Sequence, residues 1–511
     1  MKNGVLTLKR KRQKQAEPEE DGLQTTQTQS AQTETQTRTE TTQLKTNQIQ
    51  SSQIQTSQIE ARRKRRGPLE AAVQFFSNLM DRYLPDPFVI AIFLTVATMA
   101  LAVIVRGTSP LKVVDYWGAG LWDLLAFSMQ MTLVLLSGYV LAKTPPVDRF
   151  LDSLASKIYS PRVAIVTATV VAGVGSWLNW GFGLVMGGIV AQKLAMNVKG
   201  LHYPLAIAAG YSGFAVFGFG ISAPVPLLLA TPGSFMEKQV GVIPLSETVF
   251  TPQMLLTTLA TLVILPLFNM LLHPTDPSKV REIDRAAYGT VAAKPAQDDA
   301  PTIASRLNNS RVVGIGFGLI AMVFAARYFL KGGALNLDMV NFMLLFLAVL
   351  LFTRPSAFLT AVNDGVKIVT GLIVQYPFYA GIMAILSATG LAVAVADAFG
   401  AFATAESLPF WSFISAGFLN IFMPSGGGQF AVQGPVMAEA ATALGADQAA
   451  TAMAVQIGDQ WTNMIQPFWI LPALAISGLK LRDVMGYLVL ILVVLGIIYT
   501  ISVLVWGFLL T

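Results

Sequence analysis

Two stretches decide how this chain folds: SWLNWGFGLVMGGIVAQKLA at 176–195 and MPSGGGQFAVQGPVMAEAA at 423–441. Each follows an apolar run (Val163–Trp177 and Trp411–Met423) and turns on a polar, glycine-bearing tip, LNWGFG at 178–183 or PSGGGQ at 424–429. Each then returns apolar, to about Gln192 or Ala441. Fifteen helical residues span about 22 Å, short of the roughly 30 Å hydrocarbon core of a bilayer. Both stretches are therefore expected to be re-entrant hairpins whose tips stop inside a membrane.

Composition agrees with that setting. Of 511 residues, 53% are hydrophobic and 13% charged, about half the charged share of a soluble domain. The absence of cysteine removes disulfides, thiolate zinc sites, iron–sulfur clusters and cysteine nucleophiles. The net charge of +6 is concentrated in residues 1–85, which carry +5 of it. The hydrophobic body is almost neutral, so nucleic acid is not an expected partner. Residues 1–66 form a Gln/Thr-rich tail holding two basic runs, KRKRQK at 9–14 and RRKRR at 62–66. The tail has too little apolar surface to offset its chain entropy and is expected to be disordered on the cytoplasmic side. No apolar segment follows the first basic run closely, so no cleavable signal peptide is expected.

Outward from the hairpins, apolar runs long enough to cross lie at 87–105, 119–142, 251–272, 312–330, 339–353, 368–390 and 484–508. The run at 368–390 is interrupted by Gln375, Tyr376 and Pro377. Two more, 202–230 and 449–478, carry interior Gly, Pro, Asp, Asn and Gln residues. Unpaired backbone facing lipid costs several kcal/mol, so these two are expected to be broken helices lining a protected cavity. Before each hairpin lies an amphipathic stretch suited to the interface plane: Val147, Phe150, Leu151, Leu154 and Ile158 on one face, then Val395, Phe399 and Phe402.

The same order of elements occurs twice, displaced by about 247 residues. Gly181, Gly188, Val190 and Ala195 fall on Gly427, Gly434, Val436 and Ala441; Gly210 and Pro224 fall on Gly458 and Pro472. The expected organisation is a first repeat at 68–273, a cytoplasmic loop at 274–311, a linking crossing at 312–330 and a second repeat at 333–511. This is an all-α polytopic protein with about nine crossings, two re-entrant hairpins and two broken helices. The odd link inverts the halves relative to one another, a construction common in secondary carriers. Sixteen Lys and Arg fall on the side assigned to the cytoplasm and five outside, as the positive-inside rule requires.

No Lys or Arg falls within the core of an expected membrane element. A carried anion would then need backbone donors, which half-helix starts supply with a positive dipole end. Candidate substrate-binding residues are Asn179, Gly181 and Gly183 at the first tip, with Ser425, Gly426, Gly427, Gly428 and Gln429 at the second. The plain alternative is that these glycines only permit a tight turn and close helix packing. Asp459 lies far from both ends of its segment, where a carboxylate is costly and usually functional. With Thr462, Asn463 and Gln466 it forms a candidate coupling-ion site for Na⁺ or H⁺, or alternatively a structural carboxylate stabilising the break. Trp177, Trp180, Phe182, Phe430, Trp461, Phe468 and Trp469 surround tips and breaks and suit either an apolar pocket or packing. His202 and His273 are expected to cap or snorkel at cytoplasmic helix ends.

The runs at 176–195 and 423–441, with QIGDQWTNMIQPFWILPALAISGLKLRDVMGY at 456–487, resemble the short-chain fatty acid transporter family over roughly 68–511. The resemblance implies uptake of short monocarboxylates such as acetoacetate or butyrate across a bacterial inner membrane. Distant similarity to ion-transporter folds with paired hairpins implies a homodimer. The expected protein is thus not an enzyme but a secondary carrier working by alternating access, with no cofactor beyond a coupling H⁺ or Na⁺. Its expected partners are a short monocarboxylate and the lipid bilayer. A cation/proton antiporter or another organic-anion carrier is the alternative on the same scaffold. An intramembrane hydrolase would need a carboxylate pair or zinc site that the sequence lacks, and a scaffold would need no helix breaks.

Overall fold

Proline sets many of the helix starts in this chain, because its missing N–H and fixed φ suit the first helical turn. The computed structural model describes residue 85 and residues 87–285 and 302–509, and these form helices joined by turns. The first series is α1 (Pro87–Arg106), α2 (Pro110–Gly120), α3 (Leu125–Ala142), α4 (Pro145–Ala155), α5 (Pro161–Leu178) and α6 (Trp180–Asn197). A broken helix follows: α7 (Tyr203–Ser212), a 3₁₀ segment (Gly213–Phe219) and α8 (Pro224–Leu229); α9 (Pro252–Leu271) closes the series. After α10 (Arg311–Leu330) come α11 (Leu337–Phe352), α12 (Pro355–Ala388), α13 (Leu391–Gly400), α14 (Leu408–Asn420) and α15 (Gly426–Leu444). The second broken helix is α16 (Gln448–Thr462), a 3₁₀ turn (Asn463–Ile465) and α17 (Pro467–Ser477), before the final α18 (Leu481–Leu509).

The order long helix, short amphipathic helix, hairpin, broken helix, long helix is present in both series. The likeness extends to the tips. Asn179 and Ser425 both sit in extended backbone before a hairpin's second arm, and each side chain accepts the backbone N–H three residues on. The expectations for 1–66, and for the 286–301 part of the loop at 274–311, lie outside the described residues.

Several expected boundaries are corrected. The run at 119–142 is divided by a turn at 121–124, with the unexpected α2 before it; Trp117 of α2 packs at Gly381 of α12. The run at 368–390 is the second half of α12, which continues unbroken through Gln375, Tyr376 and Pro377. At 34 residues α12 is about 51 Å long, so it exceeds a bilayer core. Its exposed Asp364 and Lys367 lie in its first half.

The arms of the first hairpin are also longer than expected. α5 and α6 have 18 residues each, about 27 Å, so arm length alone does not separate re-entry from crossing. The first tip nevertheless meets α3 halfway along: the Asn179 Nδ2 donates to the Val134 carbonyl at 3.2 Å. Eight helical segments among the described residues are long and apolar enough to cross a bilayer. They include α5, but not the 16-residue α11 or the second broken helix.

Burial follows the expected division between core and lipid. The first broken helix is almost wholly buried, whereas α1 and α10 expose apolar side chains such as Ile104, Val312 and Leu330. Exposed apolar surface on this scale in water would aggregate; around a membrane protein it is the surface wetted by lipid. The amphipathic α4 buries Leu151 and Ala155 and is clipped to α6 by Lys193, which pairs with Asp148 and Asp152. Phe150 stays exposed.

Candidate functional site

Residues from both series line one small cavity. Trp180 comes from the first hairpin, Phe214 and Phe217 from the first 3₁₀ segment, and Pro224 from the start of α8. Ser425, Gly426 and Gly427 come from the second tip and Trp469 from α17; Met131, Leu372 and Tyr376 complete the wall. No basic residue lines it. The indole rings of Trp180 and Trp469 meet edge to face, with centroids 5.7 Å apart and planes at 89°. The space is about 20 Å³, room for about one water.

Residues lining the cavity carry donors without protein acceptors. Among the described residues, the backbone N–H groups of Gly426 and Gly427 donate to no protein acceptor; Gly428 is capped by Ser425 Oγ at 3.3 Å and Gln429 by the Ser425 carbonyl. The buried indole N–H groups of Trp180 and Trp469 also have no partner. Those of Trp117 and Trp177 are unpartnered too, but neither residue lines the cavity. A buried unpaired donor costs about 1–3 kcal/mol, so such a set in one cavity needs an explanation.

The first tip is committed differently. Asn179 Oδ1 accepts from the Phe182 N–H at 2.8 Å, and the Trp180 N–H donates to Ser222 Oγ at 3.1 Å. Gly181 packs on the Leu135 backbone and Gly183 on Ser176. Asn179, Gly181 and Gly183 therefore hold the hairpin against its neighbours, and only Trp180 of this tip reaches the cavity. Asn179→Ala removes the cap on the Phe182 N–H and the tether to the Val134 carbonyl of α3. It is expected to cost about 1–3 kcal/mol of stability, read as a lowered melting temperature in detergent, with substrate affinity of the folded fraction retained.

At the second tip Ser425, Gly426 and Gly427 face the cavity, but Gly428 packs against the Tyr379 ring. Gln429 turns away: its Nε2 donates to the Ala416 carbonyl at 2.9 Å and to Gln433 Oε1 at 3.0 Å, stapling the hairpin arms. Asp459 stands directly behind the tip. A Cβ added to Gly426 would lie 3.0 Å from Asp459 Oδ2, so only the glycine lets carboxylate and tip approach.

Asp459 is the one buried carboxylate among the described residues. Its Oδ2 accepts a long hydrogen bond from Gln456 Nε2 at 3.4 Å, and Oδ1 has no partner. Thr462, Asn463 and Gln466 gather with it, although the helix turns 3₁₀ at Asn463 and extended at Gln466. Their meeting point is Asn420, the last residue of α14. Its Nδ2 donates to the Asp459 carbonyl at 2.6 Å, Asn463 Oδ1 at 2.8 Å and Thr462 Oγ1 at 3.0 Å. Its carbonyl accepts from Gln466 Nε2. The Oδ1 of Asn420 and the Oε1 of Gln466 are buried without donors.

Asn420 was not expected, since an uncharged residue at the end of an apolar arm gives no local signal. Two glutamines of α16 also act across the repeats. Gln460 Oε1 accepts the Gly218 N–H at 2.7 Å, and Gln456 Oε1 accepts the Val225 N–H at 3.2 Å. The second broken helix thereby satisfies N–H groups freed by the first break. Of the aromatic set, Trp180 and Trp469 line the cavity. Trp177 packs on Phe250, Trp461 stacks on Phe413 and Phe468 packs on Trp469. Phe182 and Phe430 line other depressions.

The family model described as "Short chain fatty acid transporter" matches residues 69–506. A protein of Escherichia coli (strain K12) named for short-chain fatty acid transport is 38% identical over 432 residues, which are 84% of this chain and 98% of that relative. A similarly named protein of Haemophilus influenzae is 36% identical over 424 residues, covering 81% of this chain and 94% of the relative. Among solved structures, the Alcanivorax borkumensis YdaH transporter is similar with a TM-score of 0.51 at 16% identity, over 83% of this chain and 98% of that one. At that identity the likeness concerns the fold alone.

Proposed function

The chain belongs to the short chain fatty acid transporter family, whose members are multi-pass membrane transporters and not enzymes, and from that premise we propose a site and a mechanism. The cargo is a small monocarboxylate such as acetoacetate or butyrate, taken up across a bacterial inner membrane by alternating access. The observation that carries this reading is the cavity with unpaired donors and no Lys or Arg. A carboxylate there would accept from the Gly426 and Gly427 N–H groups at the start of α15 and from the indole N–H groups of Trp180 and Trp469. Hydrogen bonds to a charged acceptor contribute about 1.5–3 kcal/mol each, and the helix dipole adds to them. Met131, Leu372, Phe214 and Phe217 would surround the alkyl chain.

Asp459 lies behind the same tip, with no basic partner to neutralise it. In a dry interior such a group travels best with a proton or a Na⁺ bound. Substrate at Gly426 and cation at Asp459 would then stabilise one another across the tip. Asn420, Thr462, Asn463 and Gln466 would supply or position further oxygens. The hairpins are read as re-entrant, the halves as inverted, the N-terminus as cytoplasmic and the assembly as a dimer.

Labelled butyrate flux into proteoliposomes, with pH and Na⁺ gradients imposed separately, tests this reading. Uptake is expected to follow one of the two gradients and to fall several-fold with excess unlabelled butyrate or acetoacetate. Uptake indifferent to both competitors would point instead to another organic anion or to cation/proton exchange.

A further inference from the structure

A second constellation, remote from the cavity, lies at the start of α7 on the face that the loop charges assign to the cytoplasm. His202, buried before Tyr203, uses Nδ1 to accept the backbone N–H of Arg281 at 3.0 Å. Its Nε2 lies 3.0 Å from Tyr487 Oη of α18. His273, just past α9, uses Nε2 to accept the backbone N–H of His202 at 3.2 Å, and its Nδ1 lies 3.0 Å from the Pro274 carbonyl. A nitrogen that accepts from an N–H carries no proton, so each ring is neutral with a defined tautomer. His202 holds its proton on Nε2 and donates to Tyr487; His273 holds its proton on Nδ1 and donates to Pro274.

The two rings lie at the centre of a larger clamp. The Tyr203 N–H donates to the Arg281 carbonyl at 2.8 Å, and the Gly200 N–H to Glu282 at 2.8 Å. The Arg281 guanidinium pairs with Asp483 of α18 at 3.0 Å. Tyr203 Oη donates to the Ser477 carbonyl at the end of α17. The segment after α9 thus ties the beginning of the first broken helix to the second series.

We propose that His202 and His273 form a proton-sensing clamp, whose protonation on this face loosens the start of the first broken helix from the segment after α9 and so regulates the carrier. A proton on His202 Nδ1 sets N–H against the Arg281 N–H and breaks that bond; at His273 the same opposition to the His202 N–H is partly offset by backbone hydrogen bonds to Pro274 and Gly200. The charged and titratable groups around the pair are Arg281 and Glu282 in the loop, Arg162 at the start of α5, Asp483 and Tyr487 on α18 and the two rings themselves. Neither arginine favours a second positive charge. Burial, then His273 and Arg281, push the His202 imidazole down to about 4; burial and Arg162 also hold His273 below the usual imidazole range. Between the free-histidine value of about 6.5 and these lowered values, the released form binds more protons than the clamped one. The clamp is therefore intact at neutral pH and weakens as pH falls through that window. The role rests on the proposed carrier function: a weak acid entering the cytoplasm delivers protons to this face, so the response is feedback from the cargo.

Hydrogen exchange on the full-length protein reads the clamp without substrate. After correction for intrinsic exchange, protection at Arg281 is expected to fall about tenfold between pH 7.5 and 5.5 through His202, and protection at His202 to fall in the same direction through His273. His202→Gln and His273→Gln keep an acceptor that does not titrate, and protection in the double variant should stay constant. An equal fall in wild type and variant overturns the proposal. Should the variants not fold, histidine ¹⁵N spectra of the wild type decide. At pH 7.5 they are expected to show the two opposite tautomers, and a charged ring or the same tautomer in both overturns it. Butyrate exchange at equal pH on both sides should match between wild type and double variant at pH 7.5 and diverge several-fold at pH 5.5. Identical profiles would remove the regulatory role even if the clamp itself opens. A chain that exchanges no butyrate at all would refute the transport reading while the exchange and tautomer results still stand.

Discussion

Gly427→Val is expected to weaken apparent butyrate affinity at least about tenfold, equivalent to about 1.4 kcal/mol, in a protein that still inserts and runs as a single species. The position tolerates no side chain without movement. A Cβ there would stand 2.6 Å from Tyr376 Oη and 3.0 Å from the Phe127 ring. Two further methyl groups must enter either the cavity or the Tyr376 wall. Either way the N–H groups of Gly426 and Gly427 lose their access to an anion. Gly427→Ala should show a smaller loss in the same direction. Equilibrium binding of labelled butyrate to the purified variant checks this. Unchanged affinity in folded Gly427→Val would show that the second tip does not hold the substrate.

The second large effect concerns driving force rather than affinity. Under a tenfold gradient of the coupling ion, one ion per substrate supports up to about tenfold accumulation, or about 1.4 kcal/mol. Asp459→Asn is expected to abolish that accumulation while exchange of labelled for unlabelled substrate continues. The amide keeps the shape of the carboxyl group and can still meet Gln456, but it carries neither the charge nor the titratable proton. Vesicles imposed with a pH gradient and, separately, a Na⁺ gradient identify which ion is lost. Concentrative uptake equal to wild type under both gradients would reduce Asp459 to a structural carboxylate beside the helix break.

Much of the architecture was legible because a bilayer leaves few choices. Apolar runs of sufficient length mark α1, α3, α9, α10 and α18, and interior Gly, Pro and amide residues mark the two broken helices. Pro377 misled in the opposite direction: α12 runs through it. The candidate coupling residues were also legible, since a carboxylate such as Asp459 stands out among apolar neighbours.

By itself, the sequence determined that this is an all-helical membrane protein, doubled in its element order, with polar tips and breaks where regular helices would be cheaper. These features are local: they follow from hydrocarbon's intolerance of charge and of unpaired backbone, residue by residue. Only the tertiary structure decided which polar groups remain free. It satisfied Asn179 and the first tip through Ser222 and Val134, turned Gln429 into a staple, and made Asn420 the meeting point of Asp459, Thr462, Asn463 and Gln466. It also left the Trp180 and Trp469 indoles without acceptors beside Gly426 and Gly427. A donor's freedom depends on what the rest of the chain brings to it, and no local pattern records that.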